Sequence, residues 1–162
     1  MATQDISMQF AQSSDATALA SLSRDLIEEG LGWRYRAQSV RQLIADPETV
    51  TLVARAGEAV AGFGIMKFGE SRAHLVLLAV RPVFQRRGIA RRMILWLVES
   101  AATAGVASIH VELRAGNAGA YALYRVTGFA ETLRLPGYYS GRETAICMMR
   151  MMRPPVANSP NP

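Results

Sequence analysis

One cysteine, one lysine and two histidines in 162 residues remove several readings at once. Cys147 alone builds neither a disulfide framework nor a Cys-rich zinc site, so a reducing cytoplasm is the expected compartment. His74 and His110 lack neighbouring Cys or paired carboxylates, which predicts no metal. Long apolar runs are missing too. Leu75–Val80 and Met93–Val98 fall far short of the ~20 residues that cross a bilayer, so no membrane role is expected. The opening MATQDISMQF lacks a basic start followed by an apolar stretch, which predicts no signal peptide.

Half of the residues are apolar and 19% are charged, which is incompatible with a disordered chain. The length suits one domain, read here as residues 1–152, followed by a disordered Pro-rich tail over 153–162. The net charge of +5 is unevenly spread. Residues 1–80 carry seven basic and nine acidic side chains, and residues 81–162 carry eleven and four. Arg81, Arg86, Arg87, Arg91 and Arg92 equal the whole excess with no acid among them. Such a cluster calls for an anionic partner: nucleic acid, an acidic membrane or a phosphorylated small molecule.

Periodicity predicts the elements. Thr3–Phe10 reads as a strand, and Leu19, Leu22, Leu26 and Ile27 recur at helical spacing. Gly30 and Gly32 open an aromatic loop before a short helix through Val40, Leu43 and Ile44. Thr49–Arg55 and Ala59–Phe68 form a hairpin, and the nearly all-apolar Arg72–Val80 reads as a central strand, the core strand to which His74 belongs. A helix from Ile89 to about Thr103 stops at Gly105. Ser108–Arg114 alternates, with Ile109, Val111 and Leu113 opposite His110, Glu112 and Arg114. Asn117 caps a further helix ending near Gly128. The strand Phe129–Leu135, a Pro-Gly-Tyr-Tyr loop and the strand Thr144–Arg150 follow. This order predicts an α/β domain, with a mixed sheet packed between helices.

The richest stretch is VRPVFQRRGIARRM, residues 80–93, where a buried strand meets a helix. A helix N-terminus leaves several N–H groups without intrahelical acceptors, and its dipole favours an anion. Gly88 permits close approach, and the arginines add charge-assisted hydrogen bonds. Both a phosphate cradle and a solvated basic helix start satisfy that pattern. The Gly-rich fingerprints of P-loops and dinucleotide folds are absent.

Gln85-Arg86-Arg87-Gly88-Ile89-Ala90, preceded by LLAVRP, resembles the acetyl-CoA motif of the GNAT N-acetyltransferases. The resemblance continues through VELRAGNAGAYALYRVTGF, residues 111–129, and covers most of residues 70–150. It is closest to the RimI-type enzymes, which acetylate the N-terminal alanine of a ribosomal protein. Ala90 stands where many members carry Gly, and the N-terminal third matches poorly apart from a Trp in the loop between the first helices. The resemblance implies the GNAT fold: a mixed, mostly antiparallel sheet of about seven strands with helices on both faces. It implies acetyl-CoA as co-substrate and no metal. The pantetheine arm would lie along Leu78, Ala79 and Val80 if the fourth and fifth strands part. The pyrophosphate would lie on Gln85, Arg86, Arg87, Gly88, Ile89, Ala90 and Arg91, with Asn117 and Tyr124 completing the cofactor set.

Acetyl transfer needs a neutral amine, a stabilised oxyanion and a proton for the departing thiolate. The resemblance gives Glu112 as the base and Tyr124 as the proton donor, and the oxyanion falls to a backbone N–H near Leu78. Tyr124 packed as core beside Leu123 and Phe129 is the plainer alternative. His110 shares Glu112's side of its strand as a second base or as a packed residue. Trp33, Tyr138 and Tyr139 would line the acceptor mouth, or else close the core or a homodimer interface. An α-amine ionises ~2.5 pH units below Lys, a modest ~3.4 kcal/mol in favour of a protein N-terminus as acceptor. Small amines and Lys side chains stay open. An Arg-rich nucleic-acid module is the remote rival, and with only Phe84 among residues 81–92 it lacks stacking aromatics; no nucleic-acid partner is expected.

Overall fold

The computed structural model describes residues 5–152. Seven strands, β1 (Ile6–Phe10), β2 (Thr49–Ala56), β3 (Ala59–Phe68), β4 (Arg72–Val80), β5 (Ser108–Arg114), β6 (Ala130–Tyr139) and β7 (Glu143–Met151), form one sheet in the order β1-β2-β3-β4-β5-β7-β6. Every neighbouring pair is antiparallel except β4 and β5. Parallel neighbours need a crossover, here α3 (Ile89–Ala104). Helices α1 (Ala16–Leu26) and α2 (Ala37–Ala45) precede β2, and α4 (Ala118–Val126) follows β5. The expected sheet, its strand number and its helices on both faces are all present. The expected strand start at Thr3 and the tail 153–162 lie outside the described residues.

Two cores sandwich the sheet. On one face Met93, Ile94, Leu97 and Ala101 of α3 bury against Leu75, Ile109 and Val111, with Tyr124 and Phe129 alongside. On the other, Leu19 and Val40 from α1 and α2 bury against Val53, Phe63, Ile65 and Leu77. Each of these large side chains contributes about 1.5–3 kcal/mol by leaving water.

Strand β4 changes face partway along. Ala73 and Leu75 belong to the α3 core, Val76 and Leu77 both face the α1–α2 core, and Leu78 and Val80 return to the α3 side. Two successive residues on one face mark a bulge, and the β3–β4 register shifts there: Ile65 pairs with Leu77 and Met66 with Leu75, leaving Val76 extra. Beside it, β4 and β5 pair only at Arg72↔Ser108, Ala73↔Ile109 and His74↔His110. Beyond that point the two central strands part.

The Pro-Gly-Tyr-Tyr segment differs from expectation. Instead of a loop it completes β6, which runs to Tyr139 before a tight turn. An edge strand tolerates Pro136 because one side needs no ladder partner, and the register shift between Leu135 and Tyr139, with Gly137 at φ +70°, absorbs the break.

Gly62 of β3 sits where α3 presses on the sheet. A Cβ there would lie 2.7 Å from the Ala79 carbonyl oxygen and 3.2 Å from Met93 Cε. Gly62→Ala is expected to destabilise the fold by about 1–3 kcal/mol in urea unfolding. An unchanged midpoint would mean that β3 and β4 yield without cost.

Candidate active site

The gap between β4 and β5 collects the predicted residues. Arg81 N–H bonds to Ala61 O on β3, so by strand alternation the peptide groups of Leu78 and Val80 point the other way, into the gap. Those of Ala79 face β3. The Val80 carbonyl accepts 3.0 Å from Gln85 Nε2, so that side chain ties the following loop to the strand. Gly88, at φ +75°, is the N-cap of α3, and nothing lies within 4 Å of where its Cβ would be. Among the described residues, the N–H groups of Arg86 through Arg91 have no acceptor, and the first such bond is Arg92 N to Gly88 O at 3.0 Å. Six consecutive unpaired donors on an open glycine turn fit a diphosphate.

Three of the five clustered arginines attend this turn. Arg86, Arg87 and Arg91 are exposed and make no ion pair among the described residues, and Arg87 lies over the Phe84 ring. Arg81 Nε instead donates to Val60 O at 2.7 Å, and Arg92 Nη2 to Ile6 O at 3.3 Å. Both are tied to the opposite half of the sheet, a role that adjacency in sequence concealed.

Glu112 and Tyr124 lie on opposite faces of the sheet. Tyr124, on α4, is 5% exposed in the α3 core with its ring edge-on to Phe129 at 5.3 Å. Burial, and secondarily Tyr139, push its phenol well above the ordinary range. Asn117 starts α4, its Oδ1 accepting from Ala120 N at 3.1 Å. Glu112 extends to the α1–α2 face, where its Oε2 meets Nε2 of His74. That hydrogen bond holds the Glu112 carboxyl below its ordinary value despite burial, with the nearby imidazoles adding to the effect. His74 lies on the central strand β4 as expected, with its side chain 43% exposed. Only its pairing across the strands, at 38 residues' separation, reveals its place. His110 bonds to Ser108 Oγ at 2.9 Å rather than to Glu112, and burial and Arg72 hold it below the ordinary imidazole range.

A cavity of about 430 Å³ lies beside His74, His110 and Glu112, bounded also by Lys67, Phe68, Gly69, Arg72 and Ala73. A larger one, about 940 Å³, lies away from these groups along the outer flank of α3, between Met8, Leu95 and Trp96.

The mouth has its own scaffold. Tyr138 and Tyr139 meet edge-on at 5.0 Å, and burial together with the Glu112 charge pushes the Tyr139 phenol up to about 12. Arg114 donates 2.5 Å to Glu29 O, lies 3.6 Å from Glu143, and faces the Tyr139 ring. Facing β6, the α1–α2 loop is organised by Glu28, a buried acid without a signal in the sequence pattern. Its carboxylate accepts from Ser23 Oγ at 2.8 Å, Arg34 N at 2.7 Å and Tyr35 N at 3.2 Å. Trp33 donates to Tyr35 O at 3.1 Å between the guanidinium groups of Arg24 and Arg36. Among the described residues no His, Cys, Asp and Glu cluster suits a metal, and no helix is long and apolar enough to cross a membrane.

The chain is similar to known proteins in sequence and fold. Residues 18–129 match the model of the acetyltransferase (GNAT) family. The [ribosomal protein bS18]-alanine N-acetyltransferase of Salmonella typhimurium is 38% identical over 102 residues, 61% of this chain and 69% of that protein. The N-alpha-acetyltransferase RimI of Mycobacterium tuberculosis is 30% identical over 143 residues, 85% of this chain and 86% of that protein. The crystal structure of the ribosomal-protein-S18-alanine N-acetyltransferase from Escherichia coli superposes with a TM-score of 0.83 at 24% identity. It covers 97% of this chain and 100% of its own.

Glu28→Gln would turn an amide N–H₂ toward donors that now meet a carboxylate oxygen. The expected loss is about 1–3 kcal/mol by chemical denaturation, with faster amide exchange at Arg34 and Tyr35. Unchanged exchange there would mean that the loop holds its shape without the carboxylate.

Proposed function

The chain belongs to the acetyltransferase (GNAT) family and is an acetyl-CoA-dependent N-acetyltransferase; from that premise we propose that its acceptor is a protein N-terminal α-amine. Glu112 is the base and Tyr124 the acid. The observation that carries this reading is the gap between parted strands with a carboxylate on one face of the sheet and a phenol on the other. An acyl group held in the gap meets its nucleophile from the Glu112 side and releases its leaving group toward Tyr124.

The fit to acetyl-CoA rests on this chain's own donors. The peptide group of Leu78 and the N–H of Val80, which point into the gap, suit the amide-bearing pantetheine arm, and the open N–H groups from Arg86 to Arg91 suit its diphosphate. Arg86, Arg87 and Arg91 add neutralising charge. Bound there, the thioester supplies an activated acetyl carbonyl. A backbone N–H of β4 near Leu78 stabilises the developing oxyanion. Glu112 takes a proton from the acceptor ammonium, the nitrogen bonds to the acetyl carbon, and the carbon–sulfur bond breaks. Tyr124 then protonates the thiolate, and the second proton that the acetylated nitrogen sheds returns to the Tyr124 phenolate by way of solvent. Its raised phenol resists giving up that proton, and burial, which also disfavours a thiolate beside it, offsets part of that cost.

The α-amine reading has three supports. The three enzymes described above act, by their names, on α-amino groups. An α-amine is the easier one to deprotonate, which matters because the Glu112 carboxyl lies below its usual range. The mouth is bridged by Arg114 between the α1–α2 loop and β7, which suits a slender chain end. Trp33, Tyr138 and Tyr139 are the residues that would contact that chain end. Cytoplasmic placement follows from the single thiol and from acetyl-CoA as co-substrate.

Thiol release should be measured with peptides bearing free N-termini, N-terminally blocked Lys peptides and small amines. The free N-termini are expected to give a kcat/KM at least tenfold above the others. Turnover of small amines alone would overturn the acceptor assignment and leave the family intact. Tyr124→Phe should lower kcat by about 10²-fold or more while acetyl-CoA affinity stays within twofold. Equal loss of both would make Tyr124 a packing residue.

A further inference from the structure

Helices α1 and α2 cover only part of their side of the sheet. Their core ends on β3 at Ile65 and on β4 at Val76, and the next residues on that side are polar. Met66 and Phe68 turn to the α3 core, so Lys67 between them faces the α1–α2 side. There the side chains line up across three strands: Lys67 of β3 pairs with His74 of β4, and His74 with His110 of β5. Arg72 stands two residues before His74 and so shares its side. Lys67, Arg72, His74 and His110 border the cavity of about 430 Å³, which Glu112, two residues past His110, also borders.

The charges on this floor are unbalanced. Lys67 and Arg72 are exposed and make no ion pair among the described residues. Burial, and after it the Arg72 charge, hold the His110 imidazole below its ordinary range, which places that guanidinium close by. Glu112 is the one carboxylate bordering the cavity among the described residues, and His74 already engages it. Glu70, in the turn between β3 and β4, is exposed and pairs with neither cation. On the other side of Glu112 the face is closed. Arg114, two residues on, bridges Glu29 O at 2.5 Å and Glu143 at 3.6 Å. A chain end that brings its amine to Glu112 therefore leaves over the floor rather than past the bridge.

We propose that Lys67 and Arg72 dock acidic side chains of the acceptor, so that the protein selects N-termini followed within a few residues by Asp or Glu. This rests on the acceptor being a protein N-terminal amine brought to Glu112. Neighbouring strands lie ~4.8 Å apart and residues along a strand ~3.4 Å, which puts Lys67 and Arg72 ~12–14 Å from Glu112 across the sheet. An extended chain covers that distance in about four residues, so the third to fifth acceptor residues lie over the two cations. Carboxylates there accept charge-assisted hydrogen bonds from the ammonium and the guanidinium. Lys or Arg at the same positions meets like charge, which adds rejection to attraction.

The test measures thiol release with three free N-terminal peptides that share their first two residues and carry Asp, Ala or Lys at the third to fifth. At low salt, kcat/KM should be at least tenfold higher for the Asp peptide than for the Ala peptide and lowest for the Lys peptide. The difference should lie in the peptide KM, and it should shrink to within about threefold at about 0.5 M NaCl, because both cations face solvent. Combining Lys67→Glu with Arg72→Glu should reverse the order in favour of the Lys peptide, while kcat and the KM for acetyl-CoA stay within twofold. Circular dichroism and the melting temperature check the fold of that variant. If it unfolds, Lys67→Gln and Arg72→Gln replace it, and each should remove part of the preference. Three peptides that react alike, or a preference for Asp that survives loss of both cations, would overturn the docking site and leave the α-amine assignment standing. If small amines or Lys side chains react and no free N-terminus does, the acceptor assignment fails and this proposal with it.

Discussion

Two central strands that hydrogen-bond over three residue pairs and then separate leave peptide groups unpaired in the middle of a sheet, where such groups are costly. The rest of this molecule is arranged around that gap. The bulge at Val76 turns β4 so that Leu78 and Val80 face the α3 core while their peptide groups open toward β5. A ligand lying in the gap completes the ladder that β5 does not. Binding along β4 is therefore driven by backbone chemistry, which tolerates variation in side chains.

Holding strands apart against their tendency to pair requires rigid flanks. Strand β5 is fixed on its other edge by seven register pairs with β7, and β4 by its ladder to β3. Gly62 lets α3 sit close over β3, which sets the direction from which the unpaired N–H groups of Arg86 to Arg91 emerge. The proposed cradle for a diphosphate and the proposed slot for a pantetheine arm are thus consecutive parts of one chain path. The charge arithmetic gains meaning here. Arg86, Arg87 and Arg91 are free to meet an anion, whereas Arg81 and Arg92 close backbone hydrogen bonds and contribute to the fold.

The gap also separates the proposed acid from the proposed base. Tyr124 lies among apolar side chains and keeps its proton, and Glu112 lies beside His74 and keeps its charge. Their environments push the two groups apart in opposite senses, which lets one donate and the other accept at the same pH. Glu28 and Arg114 add no reacting group. They hold the α1–α2 loop over the Glu112 side and so govern which amines can approach.

Much of this was legible in the sequence. Alternation along Ser108–Arg114 put Glu112 on the polar side of a buried strand, the apolar stripe of α3 marked the crossover, and Gln85–Ala90 marked the phosphate turn. These are local patterns, with periods of 2 and 3.6 residues or a glycine whose φ only a missing Cβ makes easy, so adjacent residues suffice to specify them. Three features were not legible. Nothing local marked the contact that His74 makes from its apolar strand or the one that Glu28 makes from the end of its helix, and the five arginines looked like one patch. Each depends on a partner far away in the chain: Glu112 for His74, the backbone of Arg34 and Tyr35 for Glu28, and Val60 and Ile6 for Arg81 and Arg92. The sequence by itself determined the elements, the glycine turn at the start of α3 and the family to which the chain belongs. The tertiary structure alone decided where the central strands part and which polar groups meet across that gap, because hydrogen bonds between distant segments are set by sheet register and by no local period.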